Sequence, residues 1–137
     1  MRILIINSAN ENSFDKLIHE LSKNKNTIEC LITHDKYLSY KGKYKSIKFI
    51  DINKEEFYDL SQETLNEIKN KRYDTVYVTV PRTFAYNYGN IINILEYIWF
   101  KNAFFYNCNN CAIRIPSQNW LFDYVCGWYI DLLNLII

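Results

Sequence analysis

The stretch from Tyr73 to Trp99 constrains the fold more than any other. Tyr73–Val80 (YDTVYVTV) reads as a buried strand. Pro81 ends it, since proline cannot donate to a strand ladder. A polar, aromatic loop follows, Arg82–Asn90 (RTFAYNYGN), and then an apolar segment, Ile91–Trp99, that predicts a helix. Strand, loop and helix in that order make half of a βαβ unit, and in open α/β sheets ligands gather beside such loops.

The rest of the chain supplies matching pieces. Ile3–Ile6 is a continuous apolar run, as expected of a central parallel strand buried on both faces. Asn7–Asn12 is a polar loop. Ser13 is the expected cap of a helix carrying Phe14, Leu17, Ile18 and Leu21 on one face. Thr27–Thr33 and Ser46–Ile52 read as second and third strands. The basic, tyrosine-bearing connection Asp35–Lys45 between them is barely long enough for a parallel crossover and has room for a short helix. Ser61 caps a further helix, with Leu60 and Leu65 at hydrophobic-staple spacing. Ala103–Asn107 is a short fifth strand, Ala112–Ile115 a possible extra one before Pro116, and Trp120–Ile137 a closing helix.

This order predicts one α/β domain over residues 1–137. It is a three-layer, Rossmann-like open sheet, mostly parallel, of about five strands in the order 3-2-1-4-5. The switch point then falls between the first and fourth strands, and the loops Asn7–Asn12 and Arg82–Asn90 face it.

Composition removes several functions. With 3 Gly in 137 residues, neither a dinucleotide-binding glycine loop nor a phosphate-cradling P-loop fits. A net charge of +1 offers no general attraction to nucleic acid. After Met1-Arg2 only four apolar residues precede Asn7, too few for a secretory signal, which predicts a cytoplasmic chain with Cys30, Cys108, Cys111 and Cys126 as thiols. Cys108 and Cys111 form a CxxC without a second pair, so no metal site is expected. His19 and His34 have no nucleophile at motif spacing. Lysines interleave with tyrosines from Lys36 to Lys48, a pattern of a solvated connection or of a surface for phosphate-bearing polymers. In the closing helix Asp123 and Asp131 argue against a membrane span, and the wide apolar face predicts a protein partner or a second copy through residues 120–137.

Candidate ligand-binding residues come from the two loops. Arg82 is a permanently charged donor for phosphate or carboxylate. Tyr86 and Tyr88 are planar surfaces for a sugar or base. Asn87 and Asn90 are able to cap the next helix, whose first amides suit an anion. Asn7, Ser8 and Asn10 add hydrogen-bonding groups, with capping and turn roles as their bland alternative.

Three segments in this order resemble the N-terminal Rossmann-like half of GT-B glycosyltransferases, in particular the heptosyltransferase-like family: MRILIINSA, KNKRYDTVYVTVP and YNYGNIINILEYIWFKNAFFYN. IRIPSQNW is similar to the segment that enters such a domain's closing helix. The resemblance implies an acceptor-side domain, or one subunit of a split transferase, in cell-surface polysaccharide synthesis. It implies a sugar or phosphate-bearing acceptor, a nucleotide-sugar donor bound by a partner rather than a cofactor held here, and an enzyme incomplete alone. The family's glycine-containing first loop is absent, and no catalytic residue is assigned. TVPRTFAYNYGNIINILEYI is more faintly similar to the Pro-x-Tyr-Asn loop of flavodoxin-like FMN-dependent reductases, with Pro81 and Tyr86-Asn87 set wider than that motif. A non-catalytic interaction module is the third reading.

Overall fold

The computed structural model describes residues 1–57, 59–81, 91, 93–115 and 127–136. Six strands form one sheet: β1 (Arg2–Asn7), β2 (Thr27–Ile32), β3 (Ile47–Asp51), β4 (Arg72–Thr79), β5 (Trp99–Tyr106) and β6 (Ala112–Ile115). Their order is β3-β2-β1-β4-β5-β6. The pairings from β3 through β5 are parallel, and β6 runs antiparallel to β5. The five-residue turn between β5 and β6 is too short for a parallel crossover, so a hairpin is the only outcome available to it. In flavodoxin-like sheets the third strand lies beside the first. Here β4 takes that place.

Two cores lie on opposite faces, as alternation along a strand requires. Ile3 and Ile5 of β1 pack with Cys30 and Ile32 of β2 against Phe14, Leu17 and Leu21 of helix α1 (Glu11–Leu21) and Tyr40 of α2 (His34–Tyr40). Leu4 and Ile6 pack with Val76, Val78 and Phe105 against Ile68 of α3 (Gln62–Lys69), Leu95 of a 3₁₀ turn (Asn93–Tyr97) and Ile130 of α4 (Gly127–Ile136). Burying a residue like Ile5 or Ile6 stabilises the fold by roughly 1.5–3 kcal/mol.

Three expectations change. Helix α1 is capped by Asn10, whose Oδ1 accepts from the Ser13 amide at 2.9 Å; Ser13 lies inside the helix and is buried. The segment Ile91–Trp99 is not one helix through its described part, because Trp99 already opens β5. Cross-strand pairs with β4 explain the longer strand: Arg72 lies over the Trp99 ring at 5.0 Å, and Lys101 pairs with Asp74 at 3.5 Å. The Asp35–Lys45 connection contains α2. Tyr40 and Tyr44 from that region join Phe14 and Phe49 in one aromatic cluster, while Lys43 and Lys48 pair with Glu11 and Glu67. The tyrosines and lysines are thus engaged with their own domain, as a structural connection would be. Of the expected closing helix, residues 127–136 are described, and 120–126 and 137 lie outside the described residues. No helix among the described residues is long and apolar enough to cross a membrane.

Candidate functional site

The carboxyl rim of the sheet, where β1 and β4 end side by side, is the place the strand order marks for a ligand. Asn7 and Thr79 are register partners. The Ser8 amide donates to the Thr79 carbonyl at 2.9 Å, so the chain leaving β1 stays attached to β4 for one more residue. The Thr79 hydroxyl donates to Asn7 Oδ1 at 2.6 Å, and the Ala9 amide donates to the same oxygen at 3.2 Å. Both side chains are fully buried. Asn7 is therefore a bracket between two strands whose acceptor oxygen is doubly used.

Its other end is different. Asn7 Nδ2 is covered and, among the described residues, has no hydrogen-bond partner. A buried donor left without an acceptor costs about 1–3 kcal/mol, which is why such groups are rare away from functional sites.

The next turn carries Asn10 as the cap of α1, and Glu11 places its carboxylate at the helix amino end, where the dipole favours it. Glu11 also pairs with Lys43 at 2.6 Å. Lys36 of α2 reaches across to donate from Nζ to the Ala9 carbonyl at 2.7 Å. Burial pushes the Lys36 ammonium below the ordinary lysine value, partly countered by Asp35. The β1–α1 loop is thus held from two sides, by β4 through Thr79 and by α2 through Lys36.

Of the expected site residues, Asn7, Ser8 and Asn10 lie together in this loop. Ser8 contributes its backbone amide to β4, and the Asn10 side chain is occupied by capping. Arg82, Tyr86, Asn87, Tyr88 and Asn90 lie outside the described residues. Because β1 and β4 are parallel, both chains leave the sheet at one rim. Thr79 and Lys36 are additions to the site. Nothing in the local sequence singles out Thr79, and Lys36 is one lysine among several in its segment.

The opposite rim contrasts with this one. Glu29 is 2% exposed and receives Arg2 Nε at 2.9 Å and Lys71 Nζ at 2.5 Å. Burial pushes its carboxyl up, but the hydrogen bonds and charges of Lys71 and Arg2 outweigh that and hold it below the ordinary glutamate value. Among the described residues Cys30 and Cys111 are free thiols, and no cluster of three or more His, Cys, Asp or Glu could hold a metal ion.

No protein-family model, curated protein or solved structure matches this chain. The functional reading therefore stands on the rim's geometry and on the sequence resemblance.

Proposed function

We propose that the chain is a glycosyltransferase-like domain that holds a sugar or phosphate-bearing acceptor at the β1–β4 rim, as one part of a cytoplasmic assembly in surface-polysaccharide synthesis. The observation that carries the reading is the covered Asn7 amide, a donor without an acceptor among the described residues, at the switch point of a parallel sheet. A hydroxyl or phosphate oxygen would supply what that nitrogen lacks once the groups covering it give way. Glu11 already occupies the negative position at the amino end of α1, which suits a hydroxyl-rich ligand better at that loop. Arg82 is then the group for the acceptor's phosphate, with Tyr86, Asn87, Tyr88 and Asn90 around the sugar. The nucleotide-sugar donor belongs to a partner. Leu132, Leu135 and Ile136 of α4 are exposed and offer that partner, or a second copy, an apolar stripe.

Calorimetric titration with glucose 1-phosphate and UDP-glucose tests the reading. The sugar phosphate is expected to bind, and Asn7→Ala and Arg82→Ala are each expected to weaken it at least tenfold with folding preserved. Turnover of UDP-glucose by the purified chain alone would contradict the role of incomplete subunit. Unchanged affinity in Arg82→Ala would remove Arg82 from the site.

A further inference from the structure

A cavity with a volume of about 280 Å³ lies between the β3–α3 connection and the 3₁₀ turn. Its apolar walls are Phe57, Leu60, Leu65 and Ile94. Phe57 and Ile94 are buried members of the core, so this wall is fixed by the fold and does not depend on a mobile side chain.

The polar residues around the cavity are Asp59, Asn93 and Tyr97, and the only carboxylate among them is that of Asp59. Asp59 lines it, and among the described residues its carboxylate has no ion-pair partner. Lys54 donates from Nζ to the Asp59 backbone carbonyl. Asn93 also lines the cavity, and among the described residues its covered Oδ1 accepts no hydrogen bond. A carboxylate and an unfilled carbonyl are both acceptors. The connection that forms this wall carries Glu55, Glu56 and Asp59 against the single Lys54, so its potential is negative. An apolar pocket with a few converging polar groups is the usual form of a small-molecule site. Acceptors and negative charge select a ligand with donors and positive charge.

We infer that this cavity binds a small organic cation, an ammonium group on an apolar or aromatic body. The apolar body fills the space between Phe57, Leu60, Leu65 and Ile94. The ammonium lies toward the Asp59 carboxylate, which has no ion-pair partner among the described residues. The volume is slightly under the roughly 300 Å³ at which drug-sized sites begin, which limits the body to about one ring. The inference is independent of the sugar-acceptor reading.

The experiment is methyl-observed NMR titration with 2-phenylethylamine, which is cationic at pH 7, alongside phenylacetate and 2-phenylethanol. The amine is expected to shift the Leu65 and Ile94 methyl signals saturably, with a Kd of roughly 1 mM or tighter for a ligand this small. Phenylacetate is expected to produce no shift, and 2-phenylethanol to bind about tenfold more weakly. Asp59 holds φ at 47°, a left-handed backbone that asparagine also tolerates. Asp59→Asn therefore removes the charge and keeps the turn, and is expected to weaken the amine about tenfold without changing the melting temperature. Leu65→Trp is expected to fill the cavity and abolish the shifts. Absence of any shift with the amine, equal binding of phenylacetate or 2-phenylethanol, or full affinity in Asp59→Asn would each overturn the inference.

Discussion

At the amino rim of the sheet, Glu29 is buried between Arg2 and Lys71, and the Tyr73 hydroxyl approaches it at 3.4 Å. The Arg2 amide donates to Asp74 at 2.8 Å, and Lys101 lies beside that carboxylate. At the carboxyl rim, Asn7 and Thr79 bind each other, yet among the described residues one covered amide nitrogen has nothing to donate to. Both rims use side chains at strand ends. The first closes its hydrogen bonds within the chain; the second leaves one open. A satisfied network is an investment in stability, whereas an open donor at a switch point is a cost that a ligand can remove.

The largest expected effect is at the closed rim. Glu29→Ala strands Lys71 and Arg2 around an uncompensated site. Breaking a buried pair costs 3–5 kcal/mol, and the partial exposure of Arg2 places this one near the low end, about 3 kcal/mol by urea denaturation. A loss under about 1 kcal/mol would make this rim a surface pair in energetic terms. The pH dependence has a defined sign. Glu29 is held below its ordinary value of 4.5, so in the acid window beneath 4.5 the unfolded chain binds more protons than the folded one. The stabilisation is complete above 4.5 and is lost as the pH falls through the depressed folded value. Glu29→Gln is expected to flatten that acid limb of the stability profile; an unchanged limb would assign it to other carboxylates.

Next in size is the open rim. Asn7→Ala removes the acceptor for Thr79 and Ala9, but it also removes the orphaned donor. The two contributions oppose each other, so the expected loss is about 1–2 kcal/mol, smaller than at Glu29. Adding a bound sugar phosphate is expected to raise the stability of the wild type and not that of Asn7→Ala. A loss in Asn7→Ala matching that of Glu29→Ala would erase the contrast between the rims and leave Asn7 as a purely structural bracket.

The sequence made the strand order legible because it depends on short-range signals. The apolar runs around Ile5 and Val76 mark strands buried on both faces, and the spacing between elements decides which crossovers are possible. Ser61 was readable as a cap for the same local reason: its side chain serves the Thr64 amide three residues on. The start of α1 was not, since Asn10, Asn12 and Ser13 all have capping side chains and only the fold chooses among them. The true extent of β5 depends on Arg72 and Asp74, which no local window around Trp99 contains. The Asn7–Thr79 pair spans 72 residues and was invisible for that reason, although the loop that contains Asn7 was marked from its position. The other expected loop, residues 82–90, lies outside the described residues.

The smallest expected effect separates the two roles open to the β1–α1 loop. Asn10 is engaged by the Ser13 amide, so its stability contribution is that of a cap. Asn10→Ala is expected to cost about 1 kcal/mol. Asn10→Asp retains a capping oxygen and adds negative charge at the amino end of a helix, so it is expected to restore that loss in full. Sugar-phosphate affinity, measured on the folded fraction, distinguishes the roles. A cap alone leaves affinity unchanged in both variants. A group that touches the ligand's phosphate weakens it in both, and more in Asn10→Asp, where two negative charges would meet. Unchanged affinity confines the open donor of this rim to Asn7; a loss in both variants extends the ligand site along the loop to the first turn of α1.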